Sequence, residues 1–229
     1  MIVSRGTLNM GRRFVDQELQ TGSAALDIEL SREQAHQFKN YYNAIHKWQS
    51  QVHLISANDN DRLISRHFLD SLTIFKSCVI DIGTQIADVG TGAGLPGIPM
   101  AIARPDLHLS LVESNRKKAS FLGYVVRELN LLSRVTVHHV RAESLHQTHK
   151  RQFKIVASRA VASAANIIRI ALPLVAPNGL LVLYKGLEIE RELDEAEIAL
   201  KELGGRIDLV VPAPVSEGDG AVHVIIRRD

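Results

Sequence analysis

The densest chemical signal in the chain is Asp88-Val89-Gly90-Thr91-Gly92-Ala93-Gly94-Leu95-Pro96-Gly97. Four glycines in so short a stretch remove Cβ atoms where an apolar strand gives way to a helix, so a small molecule can approach the main chain there. Gly92, Gly94 and Gly97 satisfy the spacing G-x-G-x-x-G, which is weak evidence when it stands alone. The next apolar run ends in Glu113, 23 residues after Gly90. A carboxylate at that place can accept both ribose hydroxyl hydrogens of an adenosine. Nicotinamide dinucleotides and S-adenosylmethionine both carry that adenosine. A dinucleotide also puts a diphosphate on the helix N-terminus, whereas S-adenosylmethionine has no phosphate and carries a sulfonium cation. Asp88, just before the loop, is a poor neighbour for a diphosphate and suits a ligand with ammonium and sulfonium groups.

The charge is uneven along the chain. The total is +2, but the stretch from Arg116 to Lys185 holds 12 Lys or Arg against Glu128 and Glu143, which gives it +10 and leaves −8 for the remainder. A nucleic-acid backbone needs such a field, although a solvated face can carry one too. Arg116-Lys117-Lys118 favours a phosphate role, because it starts a helix where positive charge opposes the macrodipole. Arg141, Lys150, Arg151, Lys154 and Lys185 extend the field. His138-His139 and His146-x-x-His149 have no acidic or cysteine ligands nearby, so they read as strand polarity and a solvated loop, and no metal is expected. Phe121 and Tyr184 could stack a base and read as core. The single cysteine, Cys78, cannot form an internal disulfide and reads as small packing in a reducing cytoplasm. The longest apolar runs fall short of the ~20 residues of a membrane span, and Arg5, Gly6 and Asn9 stand where a signal peptide would be apolar. A soluble, cytoplasmic protein with no membrane contact is expected.

The elements that must position these groups follow from periodicity. Residues 1 to about 30 show no sustained period and read as a poorly ordered arm, or a short helix around Phe14 to Leu19. Ser31 and Gln34 form a capping-box pattern ahead of Phe38, Tyr42 and Ile45, which predicts a helix from Ser31 to Gln49. A second helix is expected over Leu63 to Lys76, so residues 31–80 form a helical cap. From residue 81 onward, strands near Ile86–Val89, His108–Val112, Val135–Val140, Ile155–Ala157 and Leu180–Tyr184 alternate with helices near Ile98–Ala103, Arg116–Leu129, Ser163–Val175 and Glu188–Leu203. That alternation predicts an α/β fold with a mostly parallel, doubly wound sheet. Ile207–Val211 and Ala221–Ile226, with only Pro212, Pro214, Gly218 and Gly220 between them, predict a terminal antiparallel hairpin and bring the sheet to seven strands.

Four blocks, in this order, carry a resemblance: Arg66-His67-Phe68-Leu69-Asp70-Ser71-Leu72; the glycine loop continued through Ile98-Pro99; Ser158-Arg159-Ala160; and Lys185-Gly186. They resemble the signature blocks of the RsmG family, also called glucose-inhibited division protein B, and the resemblance covers about Ser31 to Ile226. It implies a Rossmann-like class I methyltransferase fold and a methyltransferase that makes 7-methylguanosine in 16S ribosomal RNA. The implied cofactor is S-adenosylmethionine, and the implied partner is 16S ribosomal RNA or the small ribosomal subunit, with no stable protein partner. Carried over residue by residue, cofactor contacts fall on Gly90 and Leu95, on Glu113-Ser114-Asn115, on Ala142-Glu143 and on Arg159. Many family members have Asp where this chain has Glu113, which keeps the carboxylate and moves it by one methylene. RNA contacts are expected from Arg66, His67, Arg116, Lys117, Lys118, Arg141 and Lys185, with Arg159 between cofactor and RNA. For His67 a role in docking the leading helix and a role toward substrate stand side by side.

The implied reaction calls for no catalytic side chain. Guanine N7 has an exposed lone pair and no proton, so no general base is needed, and the enzyme's work is alignment and exclusion of water. Enzymes that methylate exocyclic amino groups of DNA bases commonly carry Asn/Asp-Pro-Pro-Tyr/Phe after the fourth strand, where this chain has Ser158-Arg159-Ala160. Two rival functions remain at this level. The literal glycine spacing suits an NAD-dependent oxidoreductase. A methyltransferase-like RNA-binding module without activity is the other, and the intact loop and Glu113 argue against it.

Overall fold

The apolar runs between residues 85 and 185 become five parallel strands, because each is flanked by helices that bury it on both faces. They are β1 (Gln85–Val89), β2 (His108–Val112), β3 (Val135–His138), β4 (Phe153–Ser158) and β5 (Val175–Lys185). Two further strands, β6 (Gly205–Pro212) and β7 (Val222–Arg228), complete a seven-stranded sheet of order β3-β2-β1-β4-β5-β7-β6. β7 pairs antiparallel with both β5 and β6, so the terminal hairpin enters the sheet by its second strand and leaves its first at the edge. The computed structural model describes residues 17–159, 162–186, 189–214 and 221–229. The sequence expectations on residues 1–16 and on Ala160, Glu188, Gly218 and Gly220 lie outside the described residues.

The order reverses between β1 and β4, which lie side by side although β2 and β3 separate them in the chain. A crevice opens at the carboxyl ends of strands at such a switch point. Gly90 follows β1 and Arg159 follows β4, so both emerge there. Helices α5 (Gly97–Ala103) and α6 (Arg116–Glu128) join the N-terminal helices in a core on one face of the sheet. The other face is covered by α7 (Ala142–His149), α8 (Ala164–Ala171) and α9 (Ile189–Leu203). Residues of α7 were read as a solvated loop. The helix buries only Ala142 and Leu145, too few to show a period. β3 stops at His138, because β2, its one neighbour, pairs no further than Val112.

Helix α2 (Arg32–Gln49) begins with the expected capping box at Ser31 and Gln34 and buries Phe38, Tyr41, Ala44 and Ile45. The Gln34 amide also donates to the carbonyls of Ile102 and Ala103, both at 2.9 Å, at the open end of α5. Two expectations are corrected upstream and downstream of this helix. Residues 17–25 form a helix, α1, with Leu19 and, just beyond it, Leu26 buried, and a Cβ on Gly22 would lie 2.1 Å from Leu69 Cδ1. The packed unit therefore starts before Ser31. The single helix expected over Leu63 to Lys76 is instead a π-helical stretch (Leu63–Leu69) followed by α3 (Asp70–Leu72) and α4 (Ile74–Ser77). The Ser71 hydroxyl donates to the His67 carbonyl at 2.5 Å and the Thr73 hydroxyl to the Asp70 carbonyl at 2.6 Å. Such bonds compete with the regular ladder. Among the described residues no helix is long and apolar enough to cross a membrane.

Candidate active site

The glycine loop is clamped from below and from the side. Asp88, fully buried, accepts hydrogen bonds at one carboxylate oxygen from the Thr91 hydroxyl (2.5 Å) and the Gly97 N–H (2.8 Å). Burial pushes its pKa up to about 6, against the lowering effect of those two donors. On the other side the Tyr41 hydroxyl of α2 donates to the Ala93 carbonyl at 2.7 Å. A Cβ on Gly94 would stand 2.6 Å from Ile98 Cγ1 and 3.1 Å from the Tyr41 hydroxyl, at a φ of +97°. Gly92 is different. Its φ is +59°, and a Cβ there would meet only Gly90 O at 3.9 Å and Lys118 Nζ at 4.0 Å, so this position faces open space.

Glu113 sits behind the loop, at the end of β2. One carboxylate oxygen accepts the Gly92 N–H at 3.0 Å and the other accepts the Asn115 N–H at 2.7 Å. Each oxygen keeps lone-pair capacity for a further donor. Asn115 in turn caps α6, its side-chain oxygen accepting from the N–H groups of Lys117 (2.9 Å) and Lys118 (3.2 Å). That cap satisfies the free amides of the first turn and offsets the cost of placing Arg116, Lys117 and Lys118 there.

The loop forms one wall of a cavity of about 790 Å³ at the carboxyl edge of the sheet. The opposite wall comes from the N-terminal helices, with Asp59, Arg66, His67 and Asp70, and from the ends of β5 and β7, with Tyr184, Lys185 and His223. Arg159 joins the walls. Its Nη1 donates to Asp70 at 3.0 Å and to the Arg66 carbonyl at 3.4 Å, and its Nη2 donates to His67 Nδ1 at 2.9 Å. Burial, then the Arg159 charge, lowers the His67 pKa to about 4. Burial also raises the Asp70 pKa from its ordinary value, an effect that outweighs the lowering by Arg159. Lys185 Nζ donates to Glu192 (2.8 Å) and to the Ala162 carbonyl (2.7 Å), and that bond holds the Glu192 carboxyl below its ordinary value.

Of the eight residues expected at a cofactor, Gly90, Leu95 and Arg159 line the cavity, and Glu113 stands one hydrogen bond behind it through Gly92. Ser114 and Asn115 are exposed at the head of α6, and Ala142 and Glu143 open α7. All eight lie at carboxyl strand ends. Of the residues expected at RNA, Arg66, His67, Lys118 and Lys185 line the cavity, whereas Arg116, Lys117 and Arg141 are exposed outside it. The basic stretch does not make one field, contrary to the sequence reading. Each helix returns the chain to the amino ends of the strands, so Lys150, Arg151 and Lys154 lie at the opposite edge from Arg116 and Arg141. Asp88 is corrected too: it does not line the cavity and acts on the loop from beneath. Phe121 and Tyr184 are buried, the Tyr184 hydroxyl donating to the Ser71 carbonyl at 3.0 Å.

Sequence reasoning missed Tyr41, Asp59, Glu192 and His223 as parts of this arrangement. Tyr41 comes from a segment read for its apolar period alone, Asp59 lies between the two expected cap helices, where no role was read, and nothing in the sequence links Glu192 to Lys185 or His223 to the cap. His223 is fully buried between Thr73 Oγ1 (3.0 Å) and Ser77 Oγ (2.6 Å), and burial lowers its pKa to about 4.

Comparison with known proteins places the fold by structure and the family by sequence. Solved structures with this architecture include a SAM-dependent methyltransferase from Aquifex aeolicus (TM-score 0.57, 16% identity, 75% of this chain and 95% of that one). Another is fibrillarin from Aeropyrum pernix with natively bound S-adenosyl-L-methionine (TM-score 0.54, 15% identity, 71% and 75%). At these identities they establish the fold. Sequence relatives are nearer. Ribosomal RNA small subunit methyltransferase G of Lachnoclostridium phytofermentans is 38% identical over 200 residues, 86% of this chain and 82% of the relative. The protein of the same name from a Roseiflexus species is 35% identical over 209 residues, 89% and 87%. The family model GidB, rRNA small subunit methyltransferase G, matches residues 34–214, which include the loop, Glu113 and both partners of the Arg159–His67 bond, and the chain belongs to that family.

Proposed function

We propose that this protein transfers a methyl group from S-adenosylmethionine to N7 of a guanine in 16S ribosomal RNA of the small ribosomal subunit, in the cytoplasm. The observation that carries the reading is the open face of Gly92, held by Glu113, on the wall of a cavity at the switch point of a chain in this family. The residues fit that cofactor. A loop without Cβ atoms takes its close approach, and Glu113 retains acceptor capacity for ribose hydroxyls. Gly90, Leu95, Glu113, Ser114, Asn115, Ala142, Glu143 and Arg159 would hold it. When bound, S-adenosylmethionine supplies an electrophilic methyl group.

The chain's own residues bind, orient and exclude water. Among the described residues, two Arg159 donors have no acceptor, its Nε–H and one Nη2–H, after its bonds to Asp70, Arg66 and His67. Arg116, Lys117 and Arg141 are exposed cations at the carboxyl edge of the sheet, outside the cavity, and would meet phosphates, while Arg66, His67, Lys118 and Lys185 line the path of the base. No general base is required, and His67, held neutral, and Asp88, enclosed under the loop, are not placed to act as one. The nicotinamide alternative loses its physical basis at Gly97. The N–H that opens α5, which a diphosphate would use, already donates to Asp88. Mapping 7-methylguanosine in ribosomal RNA from cells with and without this gene tests the reading. Loss of one such site in 16S RNA is expected, and an unchanged pattern overturns it.

A further inference from the structure

Two blocks about ninety residues apart meet at a single hydrogen bond, and the bond fixes a protonation state. Arg159 can only donate, so His67 Nδ1, 2.9 Å from its Nη2, must accept. The ring proton then sits on Nε2. Among the described residues that buried N–H has no partner in hydrogen-bond geometry, and the Asp59 carboxylate stands 3.5 Å away. A buried unpaired donor lowers stability, so the imidazole is a poor choice if packing beside Phe68 and Leu69 is its whole purpose. The segment carrying it is a π-helical stretch, a rare backbone form that is frequent at functional sites.

We propose that His67 is a positioning residue that acts through Arg159. In the neutral Nε2–H form it accepts from one Nη2–H, while Asp70 and the Arg66 carbonyl take the Nη1 hydrogens, so that the remaining Nη2–H and the Nε–H are presented to the cavity in one fixed orientation. Asp70 alone would leave the guanidinium free to turn about that pair. The inference rests on the methyltransferase reading of the site and assigns His67 neither a proton transfer nor a contact to the reacting atoms.

The test is a cycle of His67→Ala, Arg159→Ala and the double variant in the full chain, with S-adenosylmethionine and small ribosomal subunits as substrates. His67→Ala is expected to lower kcat/KM on the order of 10-fold to 100-fold, the scale of an ångström-level misplacement, and to add no further loss in the Arg159→Ala background. His67→Asn, whose amide oxygen stands near the Nδ1 position, should restore most of the rate, and His67→Gln should not. A second reading needs no ligand. Nitrogen NMR of the free protein should show the His67 ring with a proton on Nε2 and a bare Nδ1, and the Nδ1 signal should shift in Arg159→Lys. Losses that add in the double variant, or a proton on Nδ1, overturn the proposal while leaving the function intact. A wild-type protein that transfers no methyl group overturns the function and this inference with it.

Discussion

Glu113 shows how one carboxylate serves two ends. It fixes the loop through the Gly92 and Asn115 amides and keeps lone pairs for a ligand. Replacing it with Ala is expected to weaken S-adenosylmethionine binding by about 1–3 kcal/mol, the cost of leaving polar partners unmatched. Asp should recover part of this, since the shorter arm keeps the charge and strains the reach to Gly92. Titration calorimetry decides, and unaltered affinity in the Ala variant removes Glu113 from the site. Gly92→Val puts a β-branched side chain into the cavity at a φ of +59°, so binding should be lost while circular dichroism keeps its native form. Wild-type affinity in that variant would take the loop out of the site.

The α6 helix illustrates a charge pattern that only its cap makes sustainable. Asn115 binds the first-turn amides, so Arg116 and Lys117 can stay exposed there, whereas Lys118 turns toward Gly92 and the cavity. Replacing Arg116 and Lys117 together with Gln should leave cofactor affinity unaltered and weaken RNA binding. Each lost phosphate contact should flatten the log–log salt slope by ~0.7 on single strands and ~0.9 on duplex. Filter binding across a salt series is the check; an unchanged slope means the pair is only a solvated face. The cap helices were half legible. The Ser31–Gln34 box and the apolar period announced α2, but the break after Leu69 depends on Ser71 and Thr73 choosing backbone acceptors, which a periodicity count does not register.

At the scale of the molecule, buried titratable groups tie the cap and the loop to the sheet, and their shifts have opposite signs. His67 and His223 titrate at about 4 in the folded protein, below the ordinary 6.5. The unfolded chain therefore binds their protons first, and their stabilising contribution, present above pH 6.5, is lost as pH falls toward 4. Asp88 works the other way. With a folded value of about 6 against 3.8, its contribution is present at low pH and is lost as pH rises through 6. Asp70, also raised by burial, acts in the same sense as Asp88, so the two carboxylates oppose the two histidines across this range. His223→Gln should remove one histidine's share of the pH dependence, up to about 1.4 kcal/mol per pH unit between pH 4 and pH 6.5. Thermal melts at a series of pH values measure it, and parallel curves for the two proteins would show that His223 does not titrate on unfolding.

What the sequence determined by itself was whatever depends on neighbours along the chain. The β-α alternation, the strand-to-helix glycine turn and the acidic end of β2 are local patterns, and they carried the fold and the cofactor class. Even β7, the inner strand of the hairpin, was legible as a strand, though not its place between β5 and β6. Tertiary structure decided what depends on direction and on meeting. It divided the basic stretch between two edges, because each helix carries the chain back across the sheet. It turned Asp88 from a ligand neighbour into a clamp, because the loop folds over it. It brought Arg159 to His67 and Asp70, since the switch point places the end of β4 against a helical cap whose docking rests on side chains scattered through the fold, from Gly22 under Leu69 to Tyr41 stacked on Phe68.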